Sequence, residues 1–214
     1  MMKLRPILIL LLFAASAGVL VWLYFSAADD TPRPRTDRWS ETISDLDACC
    51  RRKHVKAEQY DHFASIAEAE RRNDAARLFR AMALSARLQE SDCAQVIVRL
   101  GGRYTPPVKV ALFRGTTSEN LARSIDYELR LTRACHGAGI DRALARGNRL
   151  AARALIRAAA SDIRHIVLME RFRAGASCGA YRLCPRCGNL YEAVRCDPYC
   201  PICQTAGRNF VDME

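Results

Sequence analysis

Residues 184–203 read CPRCGNLYEAVRCDPYCPIC, and this stretch decides how the carboxy-terminal part of the chain folds. It contains two Cys-x-x-Cys pairs, Cys184 with Cys187 and Cys200 with Cys203, which are separated by twelve residues. Each pair turns two thiolates towards one centre, so the four thiolates can surround one metal ion in a tetrahedron. The sequence therefore predicts a small tetracysteine module that folds around a single ion.

The cysteines alone leave the identity of this ion open. Four thiolates suit iron, which would make the module a one-electron carrier, and they also suit zinc, which would make it a structural ribbon. We expect residues 176–214 to form a small β module, with Tyr181, Leu190 and Tyr191 shielding the sulfurs.

The middle of the chain, residues 41–175, has a helical pattern. Apolar residues recur three and four positions apart, and proline is almost confined to one loop around Tyr104. The expected helices cover about residues 44–71, 74–100, 116–137 or beyond, and 149–173. Thr116 and Glu119 have the spacing of a capping box at the start of the third helix. Because one long connection joins two helix pairs, we expect a mostly α structure with a ferritin-like four-helix bundle.

The net charge limits the classes of partner. The chain of 214 residues carries a formal charge of +10, with 26% charged and 50% hydrophobic residues, which is ordinary for a globular protein. Residues 41–177 hold 24 Lys and Arg against 16 Asp and Glu, whereas residues 178–214 hold four of each. The arginines of the helical region lack interleaved aromatic residues, so we expect solvated helix faces and no nucleic-acid partner.

Residues 1–28 predict a membrane anchor or a signal segment. Two basic residues precede an uncharged apolar stretch, from Pro6 to about Ala28, that is long enough to cross a bilayer as a helix. The small residues 26–28 suit a cleavage site, but the apolar stretch is longer than a usual signal core. We therefore expect an uncleaved N-terminal transmembrane helix, a proline-stiffened linker at residues 29–40, and a body outside the cytoplasm, in a bacterial periplasm or at the cell surface.

The order of these parts resembles the rubrerythrin family, in which a ferritin-like bundle precedes a rubredoxin-like domain. The resemblance covers about residues 41–214. Its supporting strings are Tyr60-Asp-His-Phe-Ala-Ser-Ile-Ala, Leu78-Phe79 and Gly115-Thr-Thr-Ser-Glu-Asn-Leu, followed by the two cysteine pairs. The resemblance implies a di-iron centre in the bundle that reduces peroxide, and an iron tetracysteine site that passes electrons to it.

Transferring the family's ligands to this chain gives an uneven result. Proteins of this type bind iron through facing carboxylates and Glu-x-x-His motifs. By that resemblance Glu128 occupies a ligand position on the third helix, and Asp162 and His165 stand in place of a Glu-x-x-His motif. The other expected positions hold residues unsuited to iron, namely Lys53, Ala86, Gln89 and Leu131. His54 and Glu90 lie one residue beyond ligand positions, about 100° round the helix.

Three outcomes remain open for the middle of the bundle. A full di-iron site would need more anionic oxygens than these positions offer, and a lysine adds positive charge instead. A single metal on Glu128, Asp162 and His165 is the second outcome, since Asp-x-x-His places two donors on one helix face. The third outcome, which we expect, is a buried ion pair of Lys53 with Glu128 or Asp162.

Six further cysteines lie outside the two pairs. The helical ones are Cys49, Cys50, Cys93 and Cys135. We expect these thiols to be buried, with a disulfide between two helices as the alternative. Cys178 and Cys196 either form a disulfide or stay free.

The sequence as a whole predicts a membrane-tethered, rubrerythrin-like metal-binding protein. Electron transfer through a tetracysteine iron centre is the expected activity, with the peroxidase activity of the bundle impaired or lost. The alternatives are an active rubrerythrin-type peroxide reductase and a zinc-ribbon scaffold without redox activity. The expected partners are the membrane, an electron-donor protein and, by the resemblance, a second copy of the chain.

Overall fold

Four long helices form most of the described part of this protein. The structure is a computed structural model, and it describes residues 38–176 and 179–213, apart from the side chains of residues 133–136. The helices are α1 (Ser40–Ala69), α2 (Asn73–Arg99), α3 (Thr117–Ala145) and α4 (Arg149–Arg173). Three short strands follow, β1 (Tyr181–Leu183), β2 (Leu190–Glu192) and β3 (Val211–Met213). The expected class, mostly α with a small carboxy-terminal β module, is confirmed.

The connections between the helices explain how the helices pair. α1 and α2 are joined by three residues, of which Arg71 adopts a positive φ of 59°. α3 and α4 are joined by three residues around Gly147, whose φ is 69°. Residues 100–116 form a much longer connection between α2 and α3. Turns this short place the joined helices side by side, so two helical hairpins are linked by a crossover, as in the expected bundle.

One helix is longer than the sequence pattern indicates, and another takes the longer of its expected extents. α1 begins at Ser40, four residues earlier than expected, and α3 continues about two turns beyond residue 137, to Ala145. Contacts between α1 and α3 stabilise these extra turns. Arg142 Nη2 lies 2.5 Å from Asp45 Oδ1, and a Cβ at Gly139 would lie 3.4 Å from Asp45 Cβ. Glycine therefore permits a close approach of the two helices here, instead of ending α3. The expected start and end of α4 agree with the structure.

The capping box expected at the start of α3 is present. Glu119 N donates to Thr116 Oγ1 at 3.4 Å, and Thr116 N donates to Glu119 Oε2 at 2.8 Å. Thr117 N also donates to Glu70 Oε2 at 3.0 Å. This bond ties the end of α1 to the start of α3, so the long connection returns the chain to a defined point.

A polar layer divides the interior of the bundle into two apolar halves. Its buried side chains are Lys53, Lys56, Ser85, Gln89, Glu128, Ser161, Asp162 and His165. One apolar half includes Tyr60, Phe63, Leu78, Phe79, Met82, Ile125 and Met169. The other half includes Leu46, Cys49, Cys50, Cys93, Ile97, Ala151 and Leu155. Each helix therefore passes from one apolar half through the polar layer to the other.

The sheet of the cysteine module is antiparallel throughout. β1 lies between β2 and β3, so Arg182 is opposite Tyr191 on one side and Asp212 on the other. Arg182 Nε lies 2.7 Å from Asp212 Oδ1. The last strand of the chain is thereby held against the strand that enters the first cysteine pair.

The cysteine module packs directly on the bundle. Tyr181, Leu183 and Leu190 are buried in the same apolar cluster as the aromatic residues of α1 and α2. The expectation that Tyr181 and Leu190 shield the sulfurs is therefore wrong, because these side chains complete the bundle core. Residues Trp39–Glu214 form one compact unit.

The expected membrane anchor at residues 1–28 and most of the linker at residues 29–40 lie outside the described residues. Within residues 38–176 and 179–213, no helix has the length and apolar character needed to span a bilayer. The anchor stays a prediction.

Gly188 marks a close approach of the module to α2. Its φ is 71°, and a Cβ at this position would lie 2.8 Å from the Ser85 carbonyl oxygen and 3.2 Å from Leu88 Cβ. Both the positive φ and the contact with backbone favour glycine here.

We predict that Gly188→Ala destabilises the protein more than Gly147→Ala. An alanine in left-handed backbone costs roughly 1–2 kcal/mol at either position. A Cβ at Gly147 meets no atom within 4 Å, so that variant reports backbone strain alone. Gly188→Ala also clashes with α2 and should lose roughly a further 1–3 kcal/mol. Urea denaturation followed by circular dichroism measures both losses, and equal losses would contradict the packing of the module on α2.

Candidate metal centre and the buried ionic layer

The four cysteines of the two pairs come together at one point. One donor atom from each of Cys184, Cys187, Cys200 and Cys203 lies within 4.8 Å of the others. Cys184 Sγ is 3.5 Å from Cys203 Sγ, and Cys187 Sγ is 3.6 Å from Cys200 Sγ. Metal–sulfur bonds of about 2.3 Å in a tetrahedron separate the sulfurs by about 3.8 Å. The thiols therefore fit a single tetrahedral ion, with zinc and iron both compatible with this donor set.

The two cysteine turns have matching backbone geometry. Gly188 N donates to Cys184 O at 2.9 Å, and Gln204 N donates to Cys200 O at 2.8 Å. Gly188 and Gln204 follow the first cysteine of their pair by four residues, and their φ values are 71° and 62°. A hydrogen bond from the Cys187 thiol, and backbone N–H groups of Cys187 and Arg186, lower the pKa of Cys184 against the effect of burial. The same hydrogen bond, together with burial, raises the pKa of Cys187, so without a metal the turn favours one thiolate, at Cys184, beside one thiol.

Aromatic and hydroxyl groups cover the sulfurs unevenly. The Tyr191 hydroxyl lies 3.2 Å from Cys200 Sγ, and its ring stacks on Phe210 at 5.3 Å between centroids. Thr205 Oγ1 lies 3.1 Å from Cys203 Sγ, and Cys203 is partly exposed, whereas Cys184 and Cys200 are fully buried. The expected shielding by Tyr191 is present. Phe210 was not anticipated, because its place beside the sulfurs depends on the fold of the module.

Lys56 occupies the middle of the polar layer of the bundle. Its Nζ lies 2.6 Å from Glu128 Oε2 and 2.5 Å from Asp162 Oδ1. Lys53 Nζ lies 2.5 Å from the same Asp162 oxygen and donates to the Ala158 carbonyl at 3.0 Å. The ion pair expected between Lys53 and Asp162 is therefore present, and a second lysine joins it. Lys56 was missed, although it follows Lys53 by three residues and so shares its helix face.

The structure also brings together Glu128, Asp162 and His165, the candidate ligands of the bundle. One donor atom of each lies within 4.8 Å of the others, and all three side chains are buried. The Tyr60 hydroxyl donates to Glu128 Oε1 at 2.8 Å. His165 Nδ1 lies 3.7 Å from the same oxygen, which is too long for a hydrogen bond.

Charges in the polar layer are arranged so that opposite signs meet. Burial and the Asp162 carboxylate act to raise the pKa of Glu128, but the Lys56 ammonium outweighs them and holds that pKa below its ordinary value. Burial acts to lower the pKa of Lys56, but Asp162 and Glu128 raise it well above the ordinary value. Burial lowers the pKa of His165, and burial together with Glu128 raises that of Tyr60. Lys56 and Glu128 are therefore charged at neutral pH, while His165 and Tyr60 are neutral.

A chain of polar contacts connects this layer to the cysteine module. His165 Nε2 lies 2.9 Å from Ser85 Oγ, and Ser85 Oγ donates to the Gly188 carbonyl at 2.5 Å. Gln89 Nε2 contacts Ser85 Oγ at 2.9 Å and the Gly188 carbonyl at 3.3 Å. Ser161 Oγ lies 3.2 Å from Ser85 Oγ. Gln89, one of the positions unsuited to iron, therefore helps to hold the first cysteine turn.

His54 and Glu90 form a separate pair between α1 and α2. His54 Nδ1 lies 3.1 Å from Glu90 Oε1, and the Tyr104 hydroxyl donates to the same oxygen at 2.8 Å. These two residues therefore bind each other and the crossover, and they are not part of the group formed by Glu128, Asp162 and His165.

The helix cysteines that the structure describes are buried and free. Cys49 Sγ lies 3.7 Å from Cys93 Sγ, and Cys50 Sγ donates to the Glu90 carbonyl at 3.5 Å. The hydrogen bond with Cys93, together with burial, raises the pKa of Cys49. The pKa of Cys93 is raised as well, so Cys49 and Cys93 are poor nucleophiles. All three buried thiols pack in the apolar half of the bundle that contains Leu46. The side chain of Cys135 lies outside the described part of the structure. So does Cys178, the partner proposed for Cys196, and the disulfide alternative for these two stays a prediction.

Three solved structures of nigerythrin, a rubrerythrin-family protein, share this architecture. They represent its mixed-valence, fully reduced (all ferrous) and partially reduced states, with a TM-score of 0.70 each and 22%, 24% and 22% sequence identity. Each alignment covers 80% of this chain and 86% of the nigerythrin chain. No protein-family model matches the sequence, and no curated protein matches it. The rubrerythrin-type architecture expected from the sequence is thus confirmed as the fold of this chain.

Proposed function

We propose that this chain is a membrane-tethered, rubrerythrin-like electron-transfer protein with one metal ion, an iron held by Cys184, Cys187, Cys200 and Cys203. In this proposal the bundle binds no iron, and the peroxide reduction that the resemblance implies is lost. The anchor at residues 1–28 holds the body outside the cytoplasm, and a second copy pairs with the bundle. The bundle serves as the rigid support of the cysteine module.

The observation that carries the proposal is the position of Lys56. Its ammonium group lies between the carboxylates of Glu128 and Asp162, 2.6 Å and 2.5 Å away, in the space where a shared cation would bind. A second ammonium, from Lys53, contacts Asp162. Two buried ammonium groups repel a metal ion and already neutralise the two carboxylates. Iron binding between the two carboxylates would require Lys56 to leave a layer where its side chain is almost fully buried.

Iron in the cysteine module is supported by the donor set and by the similar structures. An iron bound by four thiolates exchanges one electron between its ferric and ferrous states. Nigerythrin, which has a similar fold, has been solved in a fully reduced, all-ferrous state, so a protein of this fold holds iron. The partly exposed Cys203 offers an edge of the site to solvent.

A zinc ribbon without redox activity is the second candidate. Four protein thiolates with no open position are typical of structural zinc sites. The packing of Tyr181 and Leu190 into the bundle core is compatible with that role, since it makes the module a structural part of the protein.

We predict one iron per chain by elemental analysis of the purified protein. The ferric form should be coloured, and Cys184→Ser should remove both the iron and the visible absorption. Cys196→Ser is the matched control, because Cys196 lies outside both pairs, and it should retain them. A colourless protein with one zinc would support the ribbon instead. About three irons per chain, with peroxidase turnover abolished by His165→Ala, would contradict the loss of the di-iron centre.

We predict that Lys56→Met creates a metal site that the unaltered bundle lacks. Removing this ammonium leaves the carboxylates of Glu128 and Asp162 and the His165 ring as a donor set for zinc or ferrous iron, while the Lys53 ammonium stays on one Asp162 oxygen. Without added metal the variant should lose roughly 3–5 kcal/mol of unfolding free energy, because a buried charge pair is broken. Added Zn²⁺ should restore part of this loss.

The control for this experiment is Lys109→Met, which makes the same change in the exposed crossover. It should alter neither stability nor metal content. Thermal unfolding and elemental analysis measure both quantities. Binding of a second metal ion by the unaltered protein would contradict the blocking role of Lys56.

The polar layer also predicts how stability depends on pH. The lowered pKa of His165 means that the unfolded chain takes up a proton near pH 6.5 that the folded chain resists, so stability falls as the pH drops below about 6.5. The pKa of Glu128 is also lowered, so protonation of this carboxylate causes a further loss of stability below about pH 4.3. Lys56 and Tyr60 have raised pKa values, so stability should fall again as the pH rises above about 10.

Denaturation at a series of pH values tests this profile. His165→Gln should remove the loss that begins near pH 6.5, while His62→Gln, outside the polar layer, should leave it in place. An unchanged profile in His165→Gln would show that the histidine is not held neutral by the fold.

A further inference from the structure

We propose that a cleft between the bundle and the first cysteine turn docks an acidic one-electron carrier protein. This inference rests on the proposed function and names the partner of the same metal site. The cleft, here called the arginine cleft, has a volume of about 370 Å³. Its charged walls come from α2, α4 and the cysteine module.

The charge of the arginine cleft is strongly one-sided. Four arginines line it, namely Arg99, Arg153, Arg157 and Arg186. Asp92 is the only acidic side chain among the described residues that line it, and Arg157 Nη1 lies 3.3 Å from Asp92 Oδ2. Arg99, Arg153 and Arg186 are exposed. The positive charge that was expected to be scattered over solvated helix faces is thus partly gathered into one cleft.

The position of the cleft connects this charge to the metal site. Pro185 and Arg186 line the cleft, and both lie between the metal-binding residues Cys184 and Cys187. The backbone N–H of Arg186 points at the Cys184 sulfur. Cys184 and Cys187 are themselves buried, so a partner cannot touch their sulfurs directly. A partner seated in the arginine cleft would contact the backbone segment that joins these two ligands.

The chemistry of the metal site selects the class of partner. A tetrathiolate iron accepts one electron at a time, so its donor must be a one-electron carrier. In the transfer the reduced carrier loses one electron and the ferric ion becomes ferrous, and no bond or proton needs to move. A protein with acidic side chains around its own redox centre complements the arginines, and such complementarity mainly accelerates association. The cleft would form the centre of a small, transient interface.

The test measures how fast a reduced acidic [2Fe–2S] ferredoxin bleaches the visible band of the full-length iron protein. Arg99→Glu combined with Arg153→Glu should lower the second-order rate constant at low salt by about tenfold or more. The difference should shrink as salt is added, because salt screens exposed charges. Arg103→Glu combined with Arg114→Glu makes a charge change of the same size at two exposed positions outside the cleft, so it is the matched control and should have a much smaller effect.

Two further measurements distinguish an effect on docking at the cleft from an effect on the reactivity of the metal site. Methyl viologen radical cation, a small reductant that needs no docking surface, should reduce the cleft variant, with Arg99→Glu and Arg153→Glu, at least as fast as the unaltered protein. Isothermal titration calorimetry of the zinc-substituted protein with oxidised ferredoxin measures docking without electron transfer. A colourless, iron-free protein would contradict the proposed function. Calorimetry would still show whether ferredoxin binds at the arginine cleft. Equal rates or equal affinities for the cleft variant and for the control variant with Arg103→Glu and Arg114→Glu would overturn the arginine cleft as the docking surface.

Discussion

Charge balance in the middle of the bundle is the constraint on which the rest of the structure depends. Two carboxylates, Glu128 and Asp162, are buried there with two ammonium groups, from Lys53 and Lys56. Taking an unpaired ion out of water costs several kcal/mol, so neither pair of charges could be buried alone. A metal ion could satisfy the carboxylates in the same way. The lysines therefore allow the bundle to keep its shape without one.

The same layer fixes the cysteine module. His165 contacts Ser85, and Ser85 donates to the carbonyl of Gly188 in the first cysteine turn. Gly188 can approach the backbone of α2 only because it has no side chain. The module is therefore held to the bundle by polar contacts at this turn and by apolar contacts at the sheet. The metal site of the module consequently has a defined position beside α2 and α4. The arginine cleft lies between these two helices and the module.

Several features could be predicted because they depend on local spacing. Two Cys-x-x-Cys pairs specify a four-thiolate site, and the apolar periodicity of residues 41–175 specifies helices. The bounds of α4 and the capping box at Thr116 follow from the same local rules. The start of α1 and the exact end of α3 could not be predicted, because ion pairs between the two helices stabilise these turns. The orientation of Tyr181 likewise depends on the bundle surface beneath it.

By itself the sequence determined the kind of protein: a helical bundle followed by a tetracysteine module, with a lysine at an expected ligand position. Only the tertiary structure decided that Lys56 enters the layer and binds both carboxylates. It also decided that arginines from α2, α4 and the module meet in one cleft. The physical reason is that spacing along a helix fixes which residues share a face. Which faces meet depends on packing between elements that lie far apart in the chain.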